Sequence, residues 1–124
     1  MPAFNFQKQF ADDVEHGRKP QTIRAKRKNR PRVGQTAHCF TGMRHPGCRC
    51  IGRWPIVRVE TVVIGPHSFY LPDSDTLMFH ESDCDAFARA DGFTGEEDMI
   101  AWFKKTHGLP FTGDLVMWEW SEAE

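Results

Sequence analysis

The chain has 124 residues, 16 of them basic and 17 acidic, and a formal net charge of −1, so it is not a polycation that binds nucleic acid through its overall charge. Its 40% hydrophobic and 27% charged content is that of an ordinary globular protein, long enough for one domain over residues 1–124 and a real core. No signal peptide, long apolar run or lipidation motif is read, and four cysteines are too few to staple the chain. The expectation is a cytoplasmic protein with reduced thiols and no membrane partner.

Eight prolines and ten glycines favour turns and strands over a helical bundle. Phe4 and Phe6 alternate about Asn5 as a first strand. Phe6, Phe10 and Val14 then recur at helical spacing, and His16-Gly17 ends that helix, with glycine suited to the left-handed position after the cap. Pro20 stops further helix, and "QTIR" reads as a strand. "QTAHCF" (35–40) is another. "VRVETVV" (57–63) is the clearest, with Val57, Val59, Thr61 and Val63 on one face, Arg58 and Glu60 on the other, and Pro55 marking an edge or bend before it. "SFYL" is a further strand. A helix is expected from Asp83 to Ala90, ending at Asp91-Gly92. Thr94 with Glu97 reads as a capping box for a second helix, whose core stripe is Met99, Ile100 and Phe103. "GDLVMWEW" is the last strand. One helix early, two later and several strands give an α+β chain, most simply a small β-barrel with helices at its rim.

Two stretches carry chemistry. In "GRKPQTIR" (17–24), Thr22 and Arg24 share a strand face while Ile23 points the other way, and the bend at Pro20 can bring Lys19 back beside them. Ammonium, hydroxyl and guanidinium in one pocket suit an anionic or carbonyl-bearing ligand, and a desolvated lysine can activate a threonine. Alternatively the Lys and Arg are simply solvated beside a turn. The loop that follows, "RAKRKNRPR" (24–32), holds six basic residues and no acid. Lys26, Arg27, Lys28, Arg30 and Arg32 form either a solvated tip or a phosphate-tracking rim. Phe40, Trp54, Phe69 and Tyr70 are candidates for stacking on bases, with at most two expected at the surface. His38, Cys39, His45, Cys48 and Cys50 raise the question of zinc. Cys48-Arg49-Cys50 is tighter than the usual Cys-x-x-Cys knuckle, so reduced thiols in a hairpin are expected and no metal or other cofactor is assigned.

The run "F-x-x-D-V-x-x-G-R-K-x-x-T-I-R" (10–24) resembles the opening signature of the ASCH family. The resemblance continues in "VGQTAHCFTG", "RCIGRWPIVRVETVVI", "ARADGFTGEEDMIAWF" and "LPFTGDLVMWEW". It implies a PUA-like β-barrel with an N-terminal helix, and an RNA or modified-nucleoside partner held in a cleft by the GRKxxTIR motif. Arg18 and Arg24 of the motif and the basic loop are then binding residues. Small ASCH proteins similar to this one include amidohydrolases that deacetylate N4-acetylcytidine. That resemblance puts Lys19, Thr22 and Asp91 in the roles of base, nucleophile and acid; the subgroup's acid is a glutamate. Other members are RNA-binding modules, and some are reported as nucleases.

Overall fold

The computed structural model describes residues 2–72 and 81–122. The chain is α+β. Its elements run β1 (Ala3–Phe6), α1 (Lys8–Glu15), β2 (Gln21–Ala25), β3 (Thr36–Thr41), β4 (Arg49–Ile64), β5 (Phe69–Tyr70), α2 (Glu81–Ala90), α3 (Glu96–Thr106) and β6 (Phe111–Trp118). The strands form one mixed sheet in the order β1-β3-β4-β6-β2, with β5 added to β4; only the β1–β3 pair is parallel.

The spine is β4, which is longer than its valine-rich part suggests. Its first half pairs with β3 and its second with β6, so one 16-residue strand serves both parts of the sheet. Pro55 lies inside it rather than before it. A register shift between Ile56 and Arg58 follows at once, the local bend that a residue without an N–H encourages. The buried face of β4 is the one that carries Arg58 and Glu60. Ile56, Val62 and Ile64 on that face are buried, Arg58 pairs with Glu60 at 2.6 Å, and Val57 on the opposite face is 50% exposed. The centre of the core is aromatic: Trp118 stacks on Trp54 with ring centroids 6.2 Å apart and meets Phe6 edge-on at 6.1 Å.

The pairing path has two ends, β1 and β2, and no strand pairing joins them, so the expected barrel is not closed by backbone hydrogen bonds. Side chains bridge the gap instead. The carbonyl of Pro2 accepts from His38 N–H on the β3 side, so the carbonyls of Ala3 and Asn5 face the free edge of β1. Arg27 donates to the first and Arg24 to the second, each at 2.8 Å. Arg27 also lies over the Phe4 ring and Arg24 over Phe6, at 4.6 and 4.8 Å from the centroids.

The start of α3 differs from the expected capping box. The helix begins at Glu96, where Asp85 Oδ1 accepts from the backbone N–H at 2.9 Å. Thr94 bonds through its N–H and hydroxyl to Asp98 rather than Glu97. Acidic residues in the first turn and Lys104 and Lys105 in the last suit the helix dipole.

Candidate functional site

Two turns deliver the site. After α1, Gly17 adopts φ +81° against the face of Trp120, where a Cβ would come within 2.7 Å of the indole. The chain then reverses, and the backbone N–H of Lys19 bonds to the carbonyl of Asp13 at 2.9 Å, directing the lysine side chain inward. At the other side α2 ends in a Schellman motif: Phe93 N–H bonds to the Ala88 carbonyl and Gly92 N–H to that of Arg89, each at 3.0 Å, with Gly92 at φ +96°. Asp91 is the capping residue of this turn. A Cβ on Gly92 would sit 2.8 Å from Phe10 and 3.0 Å from the Lys19 side chain, so glycine lets the turn close directly over the lysine.

The result is a buried polar cluster. Lys19, Gln21, Thr22 and Asp91 are all at most 3% exposed. Lys19 Nζ donates to the carbonyl oxygen of Asp91 at 2.6 Å and lies 3.3 Å from its Oδ1. Gln21 Nε2 donates to the same Oδ1 at 3.3 Å. Arg24 Nε donates to Thr22 Oγ1 at 2.9 Å, as expected of two side chains on one strand face. With one lone pair of the hydroxyl taken by the guanidinium, its hydrogen remains available to a base. No hydrogen bond joins Lys19 to Thr22.

Burial sets the electrostatics. It pushes the Lys19 ammonium below the usual lysine range, against the pull of the Asp91 charge. It pushes the Asp91 carboxyl above the usual carboxylate range, against Lys19 and the Gln21 hydrogen bond. Burial thus opposes the charge on both groups, while each group's charge favours the other's. Burial also brings Arg24 down to about 10.

These groups face a cavity of about 230 Å³ between β1, β2 and the end of α3. Phe6, Phe10, Phe93 and Trp102 supply apolar walls, and Asn5 and His107 also line the cavity. Lys19 Nζ sits 5.4 Å from the Phe10 ring centroid, and Phe10, Phe93 and Trp102 meet one another at 5.3–5.8 Å. Lys19, Thr22 and Arg24, placed in one pocket from the residue pattern, and Asp91, placed there only by the resemblance, all line this cavity. Arg18 does not: it is exposed and paired with Asp12 and Asp13 on the outside of α1.

The basic loop forms a different feature, an open groove of about 1130 Å³ lined by Arg27, Lys28, Arg30, Arg32, Val33 and Val59 among others. Much of its charge is engaged within the protein. Arg30 forks onto the buried Asp114 at 2.6 and 3.2 Å, Lys26 donates to Thr61 at 3.3 Å, and Arg27 is held on β1. Lys28 and Arg32 have side chains without a hydrogen bond or ion pair among the described residues. Of the four aromatics proposed for stacking, Trp54 and Phe69 are buried, Phe40 is half-buried and Tyr70 is 54% exposed; none lines the cavity.

Cys39 is buried, its thiol pushed up to about 12 by burial, while Cys48 and Cys50 are exposed at the β3–β4 hairpin. Among the described residues the one group with metal-ligating geometry is Asp12, Glu15 and His16, with Asp12 and His16 exposed and Glu15 half-buried; there Arg18 pairs with Asp12 and Arg49 with Glu15.

The sequence reading missed Gln21 and the Phe10–Phe93–Trp102 wall. Phe10 was legible only as a core residue of a helix stripe, and Trp102 fell outside the expected stripe. No protein-family model, curated protein or solved structure matches the chain.

Proposed function

We propose that the cavity binds the base of a modified pyrimidine nucleoside and that Lys19, Thr22 and Asp91 hydrolyse an acyl amide on it, of the N4-acetylcytidine kind, in an ASCH-type, PUA-like barrel whose open seam is closed by Arg24 and Arg27. The observation that carries this reading is the burial of a lysine–aspartate pair beside a threonine hydroxyl in one aromatic-walled cavity. Its 230 Å³ lies below the usual range for drug-sized ligands and suits a single base better than a stretch of polymer.

The chemistry follows from the groups. Lys19, as a neutral amine, takes the hydroxyl proton of Thr22, and Thr22 Oγ1 bonds to the acyl carbon. The nearby Arg24 guanidinium stabilises the developing negative charge. The carbon–nitrogen bond breaks as Asp91, in its acid form, protonates the leaving exocyclic amine. Water then attacks the Thr22 ester, giving its proton to the Asp91 carboxylate. The carboxylic acid departs, and the Lys19 ammonium returns a proton to Thr22 Oγ1. The first step requires the Lys19 amine, which bonds to Asp91 and not to Thr22 in the structure, to turn toward the Thr22 hydroxyl.

A second reading is supported by the groove beside the basic loop: the protein binds RNA there, with Lys28 and Arg32 on phosphates. Turnover of N4-acetylcytidine by the wild type and by Lys28→Ala/Arg32→Ala separates the two. Cytidine release by both supports the hydrolase. No release by either, together with salt-dependent RNA binding that the double variant loses, supports the binder.

A further inference from the structure

We propose that Gln21 is a positioning residue: its side-chain amide and Lys19 together hold Asp91 Oδ1, so that Oδ2 is the oxygen presented to a bound ligand. The inference deepens the hydrolase reading and takes its chemical meaning from it, but the geometry it asserts is testable without turnover.

The backbone of Asp91 is fixed by the Schellman turn, and an aspartate has only two side-chain torsions, so little freedom remains except the choice of which oxygen faces which neighbour. Lys19 alone does not make that choice. Its shortest contact, 2.6 Å, is to the backbone carbonyl, and Oδ1 lies further off at 3.3 Å. The second hydrogen bond to Oδ1 comes from Gln21 Nε2, also at 3.3 Å. No hydrogen bond from the described residues reaches Oδ2.

Gln21 itself is 1% exposed, on a strand whose neighbours Thr22 and Ile23 are also buried. An apolar residue would fill such a site without the cost of desolvating an amide, so the amide's presence there calls for a polar partner, and Asp91 is that partner. Charged groups acting on Asp91 are Lys19 and Arg24; Gln21 is a neutral donor beside them. It can therefore orient the carboxylate without adding a third cation to the pocket.

The test is carboxyl carbon-13 NMR of the aspartates, with the Asp91 resonance assigned through Asp91→Asn, followed over pH in the wild type and in Gln21→Met. Methionine keeps the length and bulk and removes the donor. The expected result is a native fold by circular dichroism with the Asp91 carboxyl titrating at higher pH, because a hydrogen bond to its ionised form is gone. Under N4-acetylcytidine turnover, kcat falls roughly tenfold while KM holds. Gln21→Glu is the second variant, of the same shape, and should move the titration the same way, because two carboxyls then share the site. An unchanged Asp91 titration in a folded variant, even with a lower melting temperature, would overturn the proposal and leave Gln21 as packing. A shifted titration in a protein that never turns over N4-acetylcytidine supports the positioning role and removes the hydrolase reading instead.

Discussion

Lys19 Nζ lies 2.6 Å from the backbone carbonyl of Asp91 and 3.3 Å from its Oδ1, across 72 residues of sequence. The lysine thus serves two ends at once. It satisfies a carbonyl at the C-terminus of α2, where a cation suits the helix dipole, and it pairs with the buried Asp91 carboxyl.

Removing one member of such a pair leaves the other buried and uncompensated. Lys19→Met should lower the unfolding free energy by about 3–5 kcal/mol. Lys19→Met/Asp91→Leu should recover part of that loss, because neither charge then remains. Urea denaturation of the three proteins checks both statements.

The two shifts also give stability a pH signature. Between the lowered Lys19 value and the ordinary 10.5, the unfolded chain holds more protons than the native one, so this group makes stability rise with pH. Between the ordinary 3.8 and the raised Asp91 value, the native chain holds more protons, so this group makes stability fall as pH rises. The difference in unfolding free energy between the wild type and Lys19→Met/Asp91→Leu, measured across pH, should fall through the acid window and climb through the alkaline one. A flat difference would contradict the two shifts.

Gly92 is where the turn meets the site. Gly92→Ala places a side chain at φ +96° and a Cβ 2.8 Å from Phe10. The left-handed backbone alone costs about 1–2 kcal/mol, and the contact with Phe10 and Lys19 adds to it. The expected outcome is a lower urea midpoint together with a loss of activity larger than the stability loss explains, since Lys19 is displaced.

How much of this was legible in the sequence depends on the range of the interaction. Thr22 and Arg24 could be placed on one face from strand alternation, and their 2.9 Å contact is the direct consequence. Gly17 and Gly92 could be read as helix ends. Asp91 was reachable only through resemblance, because nothing local says that a residue capping α2 meets one that follows α1. Gln21 carried no signal, since alternation assigns it to the face opposite Thr22 and does not say that β2 is buried on both. The basic loop misled in a different way. Charge is visible in sequence, but the pairing of Arg30 with the buried Asp114 is not, because nothing local says that the loop folds back onto the last strand.

That engagement bears on the groove. If it tracks phosphates, the residues that contribute are Lys28 and Arg32, and Lys28→Ala/Arg32→Ala should flatten the dependence of log affinity on log salt for single-stranded RNA by about 1.4. Arg30→Ala should instead destabilise the fold, as it strands the Asp114 carboxylate. Filter binding across a salt series, with melting curves alongside, distinguishes the two roles.

The central claim is that Thr22 in this cavity attacks an acyl amide, and the most direct measurement is cytidine released from N4-acetylcytidine by the wild type and by Thr22→Val, which keeps the shape and removes the hydroxyl. The account predicts release by the wild type and none above background by Thr22→Val, with both proteins folded. No release by the wild type, or equal release by both, would contradict it.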